Sequence, residues 1–438
     1  MAGSRPAGRS RPDHAHFVNQ AGAPGSEPAS RLIDPQRLWD RHMQLAEIGA
    51  TPAGGVNRPA LSDAEIDARG ELVAWARPAG LAAFHDPIAN LFLRLEGSDP
   101  DAAPVLAGSH IDSQPTGGKF DGAFGVLAAL EAVTAMSGRG MRPRRSIEVV
   151  AWTNEEGSRF APGLMGSEAF AGLRPLEKIL AVTDTEGESV RESVARVLAA
   201  DGAVESRPLG FPVHAFIEPH IEQGPVLERE EVPIGVVTGM QGSRRFRVTV
   251  SGNASHAGTT PRAERRDAVL AAARMINDLA ALMAEPEDVM FTVGLLNVRP
   301  NAPSVVPEEA YFSIDLRHPS NSVLAGLGDA IAGCCDRVSG PCAVAVREIA
   351  STPSIEFPGS IRRSLRSAAD RLGLAWRNVY SLAGHDARNL HAVCQSGMIF
   401  VPCRDGISHN ESEWAEPAHL VAGTRVLADA LWGLANDV

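Results

Sequence analysis

From Asp34 onward, short apolar runs alternate with longer stretches in which apolar residues recur every three or four positions. Leu38, Met43, Leu45 and Ile48 follow an Asp34-Pro35 start signal and predict a first helix. Apolar runs at 105–108, 146–153, 215–221 and 398–402 predict strands, and the periodic stretches 124–136 and 417–434 predict helices. This alternation predicts an α/β fold, a mixed sheet covered by helices.

Between 242 and 351 the rhythm changes. Strand signals at 245–251, 289–298, 310–317 and 343–349 enclose helical ones at 265–283 and 322–338, a βαββαβ (ferredoxin-like) order. Ala268, Ala272, Met275, Leu279 and Met283 place one face of the first of these helices on the sheet. The expected organisation is therefore an inserted domain, 242–351, in a discontinuous larger domain, 31–241 and 352–438. Residues 1–30, rich in Arg, Ser, Pro, Gly and His, read as a disordered leader without the apolar run of a secretory signal.

Composition narrows the partners. Of 438 residues 44% are hydrophobic and 21% charged, enough apolar surface for a sizeable core. Lys and Arg number 41 against 53 Asp and Glu, and the net charge of −12 has the wrong sign for tracking phosphates, so nucleic acid is excluded as a partner. Mean hydropathy is −0.07 and no apolar run reaches membrane-spanning length, so no membrane partner is expected. The five cysteines are odd in number and lack the spacing of a disulfide framework or zinc knuckle, which fits a reducing, cytoplasmic setting.

Candidate chemistry collects at the ends of predicted strands. Gly108-Ser109-His110-Ile111-Asp112-Ser113 ends an apolar strand in a histidine, and Asp121 follows among glycines that let a carboxylate approach a ligand. Asp112, two residues after His110, suits the partner that accepts the other imidazole N–H of a ligating histidine. A second strand ends in Asn154-Glu155-Glu156. Neighbouring carboxylates point in different directions, so one can bind a cation while the other holds a water as general base. A third ends in His220-Ile221-Glu222-Gln223, and a fourth is followed by Gly406-Ile407-Ser408-His409. Singly, each reads equally as a structural histidine or a solvated acidic turn; jointly, His110, Asp121, Glu156, His220 and His409 suit two divalent ions, zinc foremost, with manganese, cobalt or nickel as alternatives. Asp121 is then the bridging candidate.

These segments, with Trp152-Thr153-Asn154-Glu155-Glu156-Gly157-Ser158-Arg159-Phe160 and Ser255-His256-Ala257-Gly258-Thr259-Thr260-Pro261, resemble the dinuclear-metal amidases of the hydantoinase/carbamoylase type, which include N-carbamoyl-L-amino-acid hydrolase, allantoate amidohydrolase and β-ureidopropionase and are related to metallo-carboxypeptidases and aminoacylases. The resemblance runs from about Asp34 to the end. It implies one ion on His110, Asp121 and His220, the other on Asp121, Glu156 and His409, and Glu155 as general base. His220 stands where related metallo-peptidases carry a carboxylate. The resemblance further implies that the βαββαβ insert is a lid that dimerises and closes over the metals. His256 would then donate to the oxyanion, Asn301 and Arg317 would grip a substrate carboxylate, and Gln223 would add a substrate contact. His385, in Gly384-His385-Asp386, falls near the site.

The implied reaction is cleavage of the ureido C–N bond of an N-carbamoyl-L-amino acid, giving amino acid, carbon dioxide and ammonia. Allantoate and β-ureidopropionate are the alternative substrates within the class; an aminoacylase, a peptidase or a non-catalytic metal-dependent binding protein are the alternatives outside it. Gln241-Gly242-Ser243-Arg244-Arg245 stands at the entrance to the insert and names no substrate by itself.

Overall fold

The computed structural model describes residues 28–202 and 204–437. Most of the predicted leader, up to position 27, lies outside the described residues. Its last part is corrected: Ala29 and Ser30 are buried in a short 3-10 turn, and Ser30 N–H donates to Asp429 Oδ1 at 2.9 Å.

The mixed α/β architecture expected from the alternation is the one the chain adopts. At its centre are four parallel strands in the order Gln395–Val401, Ala215–Ile221, Val105–His110, Ile147–Trp152. All four are buried almost throughout, which is why they read as unbroken apolar runs rather than alternating ones. Leu91–Leu95 and Ala82–His85 extend the sheet antiparallel on one side. Ile234–Met240 extends it on the other, antiparallel to Gln395–Val401 and parallel to Trp376–Ser381.

Helices Ala123–Gly138 and Pro417–Asn436 cover one face. The first is buried on nearly every side, so its sequence shows no polar stripe. Phe124 in its first turn and Phe120 just ahead of it are fully buried, each worth about 1.5–3 kcal/mol of burial free energy. Its one interior acid, Glu131, ties down the first helix, Pro35–Glu47: Arg37 Nε–H and Nη2–H both donate to it at 2.7 Å and Asp34 N–H at 2.8 Å. Asp34 caps that helix by accepting from the N–H groups of Gln36 and Arg37, the start signal read from the sequence.

Residues 242–352 build a second, antiparallel sheet. Its strands run Gly242–Ser251, then Met290–Thr292 with Leu296–Arg299, then Glu309–His318, then Ala343–Thr352, in spatial order second, third, first, fourth. The single strand predicted at 289–298 is split: residues 293–295 bulge out around Gly294, and Ser313 N–H reaches the Leu295 carbonyl at 3.0 Å. Helices Ala268–Leu282 and Asn321–Arg337 pack over Phe246, Val248, Ile314 and Leu316. The alternate positions, Arg245, Arg247, Ser313, Asp315 and Arg317, therefore share the opposite, uncovered face. No helix among the described residues is long and apolar enough to cross a membrane.

Candidate metal centre

The four parallel strands end on one edge of the sheet, the edge at which open α/β sheets bind ligands. His110 is the last residue of its strand, Glu155 and Glu156 follow Trp152, His220 is the penultimate residue of Ala215–Ile221, and His409 lies in the turns after Val401. Asp121 occupies the connection between His110 and helix Ala123–Gly138.

Asp121 is the hub. Its Oδ1 is 3.2 Å from His220 Nε2 and 3.6 Å from His110 Nε2. Its Oδ2 is 3.2 Å from His409 Nε2, which is in turn 3.4 Å from Glu156 Oε2. Two groups of possible ligands result, His110/Asp121/His220 and Asp121/Glu156/His409, each with its donor atoms within 4.8 Å of one another. Three imidazoles and two carboxylates suit borderline divalent ions, and a carboxylate with one oxygen turned toward each group is what a neighbouring pair would share. The donor set thus fits two divalent metal ions.

The rings are held ready for that use. His110 Nδ1–H donates to the Asp112 carbonyl and His220 Nδ1–H to the Ile221 carbonyl, both at 2.9 Å, so each turns its Nε2 toward Asp121. The role predicted for the Asp112 side chain is corrected here. Its carboxylate stands 3.6 Å from His110 Nδ1 and accepts instead from the backbone N–H groups of Glu155 and Glu156, each at 3.2 Å. The imidazole is fixed by the Asp112 backbone; the Asp112 side chain aims the two glutamates.

Electrostatics follow from crowding acids and imidazoles out of water. Burial lifts the Glu155 carboxyl well above the usual carboxylate range; the His110 cation opposes this and the charges of Asp386, Glu156 and Asp112 reinforce it. Burial raises Glu156 as well, with Asp121 adding to the effect. His409 is pushed up to about 9, chiefly by its contact with Asp121. Burial would depress His110, but Glu155, Asp112 and Glu156 outweigh it and hold its pKa well above the ordinary value.

Other predicted residues fall into two sets. Gln223 Nε2–H donates to Asp121 Oδ2 at 3.0 Å; His385 is buried with its ring 4.5 Å from that of His220; Arg317 lines the same cleft. His256 and Asn301 are exposed and lie outside the residues that line it. His256 Nδ1 accepts from the N–H groups of Gly258 and Thr259, at 2.9 and 3.1 Å.

Two contributors escaped the sequence reading. Gln114 Nε2–H donates to Glu156 Oε2 at 2.8 Å. Glu413 Oε1 accepts from the N–H groups of Phe120 and Asp121, at 2.9 and 3.1 Å, while its Oε2 lies 2.9 Å from the Ser408 hydroxyl. It thereby clamps the Asp121 connection to the His409 turn. Neither residue ends a strand, so the signal that located the others was missing.

Backbone conformation is part of the construction. Asn154, Gln223 and His409, each at or beside a predicted site residue, have φ of 53°, 56° and 52°, a left-handed setting that costs non-glycine residues free energy and concentrates at functional sites. Gly122 also has positive φ, and a Cβ there would stand 2.4 Å from His110 Nε2. Gly122→Ala is expected to displace the imidazole and weaken metal binding by about 10–100-fold. Metal titration followed by calorimetry checks this on protein shown by circular dichroism to be folded; wild-type affinity would refute it.

Fold and site together define a class: a hydrolase of mixed α/β fold, its polar donors gathered at the carboxyl edge of the sheet. Residues 106–433 match Peptidase family M20/M25/M40, and the chain belongs to that family. It is 39% identical to an N-carbamoyl-L-amino-acid amidohydrolase of Rhizobium meliloti, over 95% of this chain and 99% of the relative. It is 34% identical to the allantoate amidohydrolase of Escherichia coli, over 89% and 96%. An amidase of the hydantoinase/carbamoylase family from Burkholderia multivorans superposes with a TM-score of 0.85 at 42% identity, over 92% of this chain and 98% of that one. The protein is thus an amidohydrolase, an enzyme that breaks C–N bonds.

Proposed function

We propose that the chain hydrolyses the ureido C–N bond of N-carbamoyl-L-α-amino acids, consuming one water and releasing the amino acid, carbon dioxide and ammonia. The observation that carries this reading is a shared Asp121 flanked by two donor groups, with Glu155 beside them and Arg317 across the same cleft. The Rhizobium relative at 39% identity supports the same substrate.

His110, Asp121 and His220 would hold one divalent ion and Asp121, Glu156 and His409 the other, zinc first, with manganese, cobalt or nickel as alternatives. Bound there, the pair supplies Lewis-acid polarisation of the ureido oxygen and a lowered water pKa. Glu155, with Oε2 3.6 Å from His110 Nε2, takes a proton from the attacking water and returns it to the departing nitrogen. Gln223 steadies Asp121. His385, buried beside His220 with its Nε2 unpartnered, faces the cleft as a neutral hydrogen-bonding group. Arg317 takes the substrate carboxylate with the planar geometry a guanidinium offers. His256 and Asn301 complete the oxyanion and carboxylate contacts only once the 242–351 domain acts as a lid, and we assign homodimerisation to that domain as well. The five cysteines are free, consistent with a cytoplasmic enzyme.

The second reading is allantoate hydrolysis, favoured by the Escherichia coli relative, since allantoate offers the same ureido group beside a carboxylate. Ammonia release by the metal-loaded protein from N-carbamoyl-L-amino acids, allantoate and β-ureidopropionate decides between them. N-carbamoyl-L-α-amino acids are expected to give the highest kcat/KM. A higher value for allantoate, or cleavage of acyl-amino acids or peptides with no ammonia from any ureido compound, overturns the proposal.

A further inference from the structure

The cleft that holds both donor groups has a volume of about 630 Å³, and the three residues Arg245, Arg317 and Arg388 all line it. Arg245 and Arg317 come from the uncovered face of the second sheet. Arg245 lies directly opposite Asp315 in the strand register, and Arg317 follows two positions later on the same side.

Their hydrogen bonds are unequal. Arg317 Nε–H and Nη2–H donate to Asp315 at 2.8 and 3.1 Å, a two-pronged contact. Arg245 gives Asp315 a single Nε–H bond at 3.2 Å, which leaves four of the five N–H donors of a guanidinium without an acceptor among the described residues. Arg388 spends its donors on neutral groups, the carbonyls of Pro353 and Gln241, both at 2.6 Å. No carboxylate is in ion-pair contact with Arg388 among the described residues. Glu168, the one acid lining the cleft besides the metal-facing carboxylates among the described residues, is itself paired with Arg174 at 2.9 Å.

Setting the metal-facing acids aside, these three guanidiniums have one carboxylate between them, Asp315, which lines the adjoining groove and pairs with Arg317 and Arg245. The surplus is two positive charges. One α-carboxylate on Arg317 answers half of it. The walls contain no Phe, Tyr or Trp, so nothing in them is shaped for a large aromatic side chain. A chain of net charge −12 also exerts no long-range pull on anions, so a second anionic group must be drawn by a local cation.

We infer that this cleft is selective for ureido acids carrying a second carboxylate, N-carbamoyl derivatives of dicarboxylic amino acids, and that Arg245 is the residue that reads the second carboxylate. This deepens the proposed function and rests on it. Arg245 supplies a fork of unspent donors at the cleft mouth, and the uncompensated charge of Arg388 makes the inner wall favourable to the same ligand. An amide in place of that carboxylate keeps the size and loses the charge-assisted bonds.

The test compares kcat and KM of the metal-loaded enzyme on N-carbamoyl-L-aspartate and N-carbamoyl-L-glutamate with those on N-carbamoyl-L-asparagine and N-carbamoyl-L-glutamine. The acids are expected to exceed their amides at least tenfold in kcat/KM, mainly through KM. Arg245→Gln should bring the acid-to-amide ratio close to one, and Arg245→Lys should restore part of it. Arg247→Gln, on the same sheet face but lining only the neighbouring groove formed with Met290 and Thr292, should retain the wild-type ratio. Equal turnover of acid and amide by the wild type, or an unchanged ratio in Arg245→Gln, overturns the role of Arg245 and leaves the ureido reading standing. Absence of ammonia from all four compounds, with ammonia released from other N-carbamoyl-L-amino acids, overturns this inference and leaves the ureido reading standing; absence from every ureido compound overturns both.

Discussion

Asp121→Ala is expected to strip the protein of both divalent ions and of measurable turnover together. The two oxygens of this side chain face different donor groups, Oδ1 toward His110 and His220 and Oδ2 toward His409 and Glu156. Removing it also leaves the buried His110 and His220 and the half-exposed His409 without their shared counter-charge. Losing a residue that merely orients a ligand typically costs about 10–100-fold in metal affinity, so losing the shared ligand should cost more than that at each position. Elemental analysis of the purified variant beside an ammonia-release assay gives the answer. A variant that still carries two ions per chain would refute the bridging role, and one that keeps a single ion would show that the groups bind independently.

Glu155→Gln should separate binding from chemistry. Glutamine keeps the shape and the backbone N–H bond to Asp112, but it can neither accept nor return a proton at neutral pH. General acid–base catalysis by one side chain is worth about 10²–10⁴-fold, roughly 3–5 kcal/mol of barrier, and the expected result is a kcat loss in that range with full metal content. Turnover near the wild-type value would remove Glu155 from the proton-transfer role. Lost metal content would recast it as a ligand.

What the sequence could reveal of this site depended on where each residue sits relative to a strand. His110, Glu156 and His220 stand at the ends of fully buried parallel strands, where an apolar run stops abruptly at a charged or ring nitrogen group. That contrast is visible without coordinates. Glu413 and Gln114 lie in irregular segments whose polar character is ordinary for a surface, and only the folded geometry shows that they touch Asp121's backbone and Glu156. The Asp112 spacing suggested the right neighbour and the wrong atom, because spacing cannot tell a side-chain carboxylate from the carbonyl of the same residue. Arg245 was visible as part of a charged motif. Its place on a sheet face shared with Arg317 required the register between strands Gly242–Ser251 and Glu309–His318.

The Glu413 clamp joins groups 293 residues apart in sequence. During vectorial synthesis on a ribosome, the earlier donors, His110, Asp121, Glu156 and His220, emerge well before the later strand and its turn. Asp121, the residue shared by both groups, takes its final clamp only when Glu413, near the end of the chain, reaches the sheet edge. Closing so long a loop is entropically unfavourable until the intervening strands have docked, since the cost grows with the logarithm of loop length. The second donor group is therefore complete only once the last strand, its turn and Glu413 have joined the sheet edge.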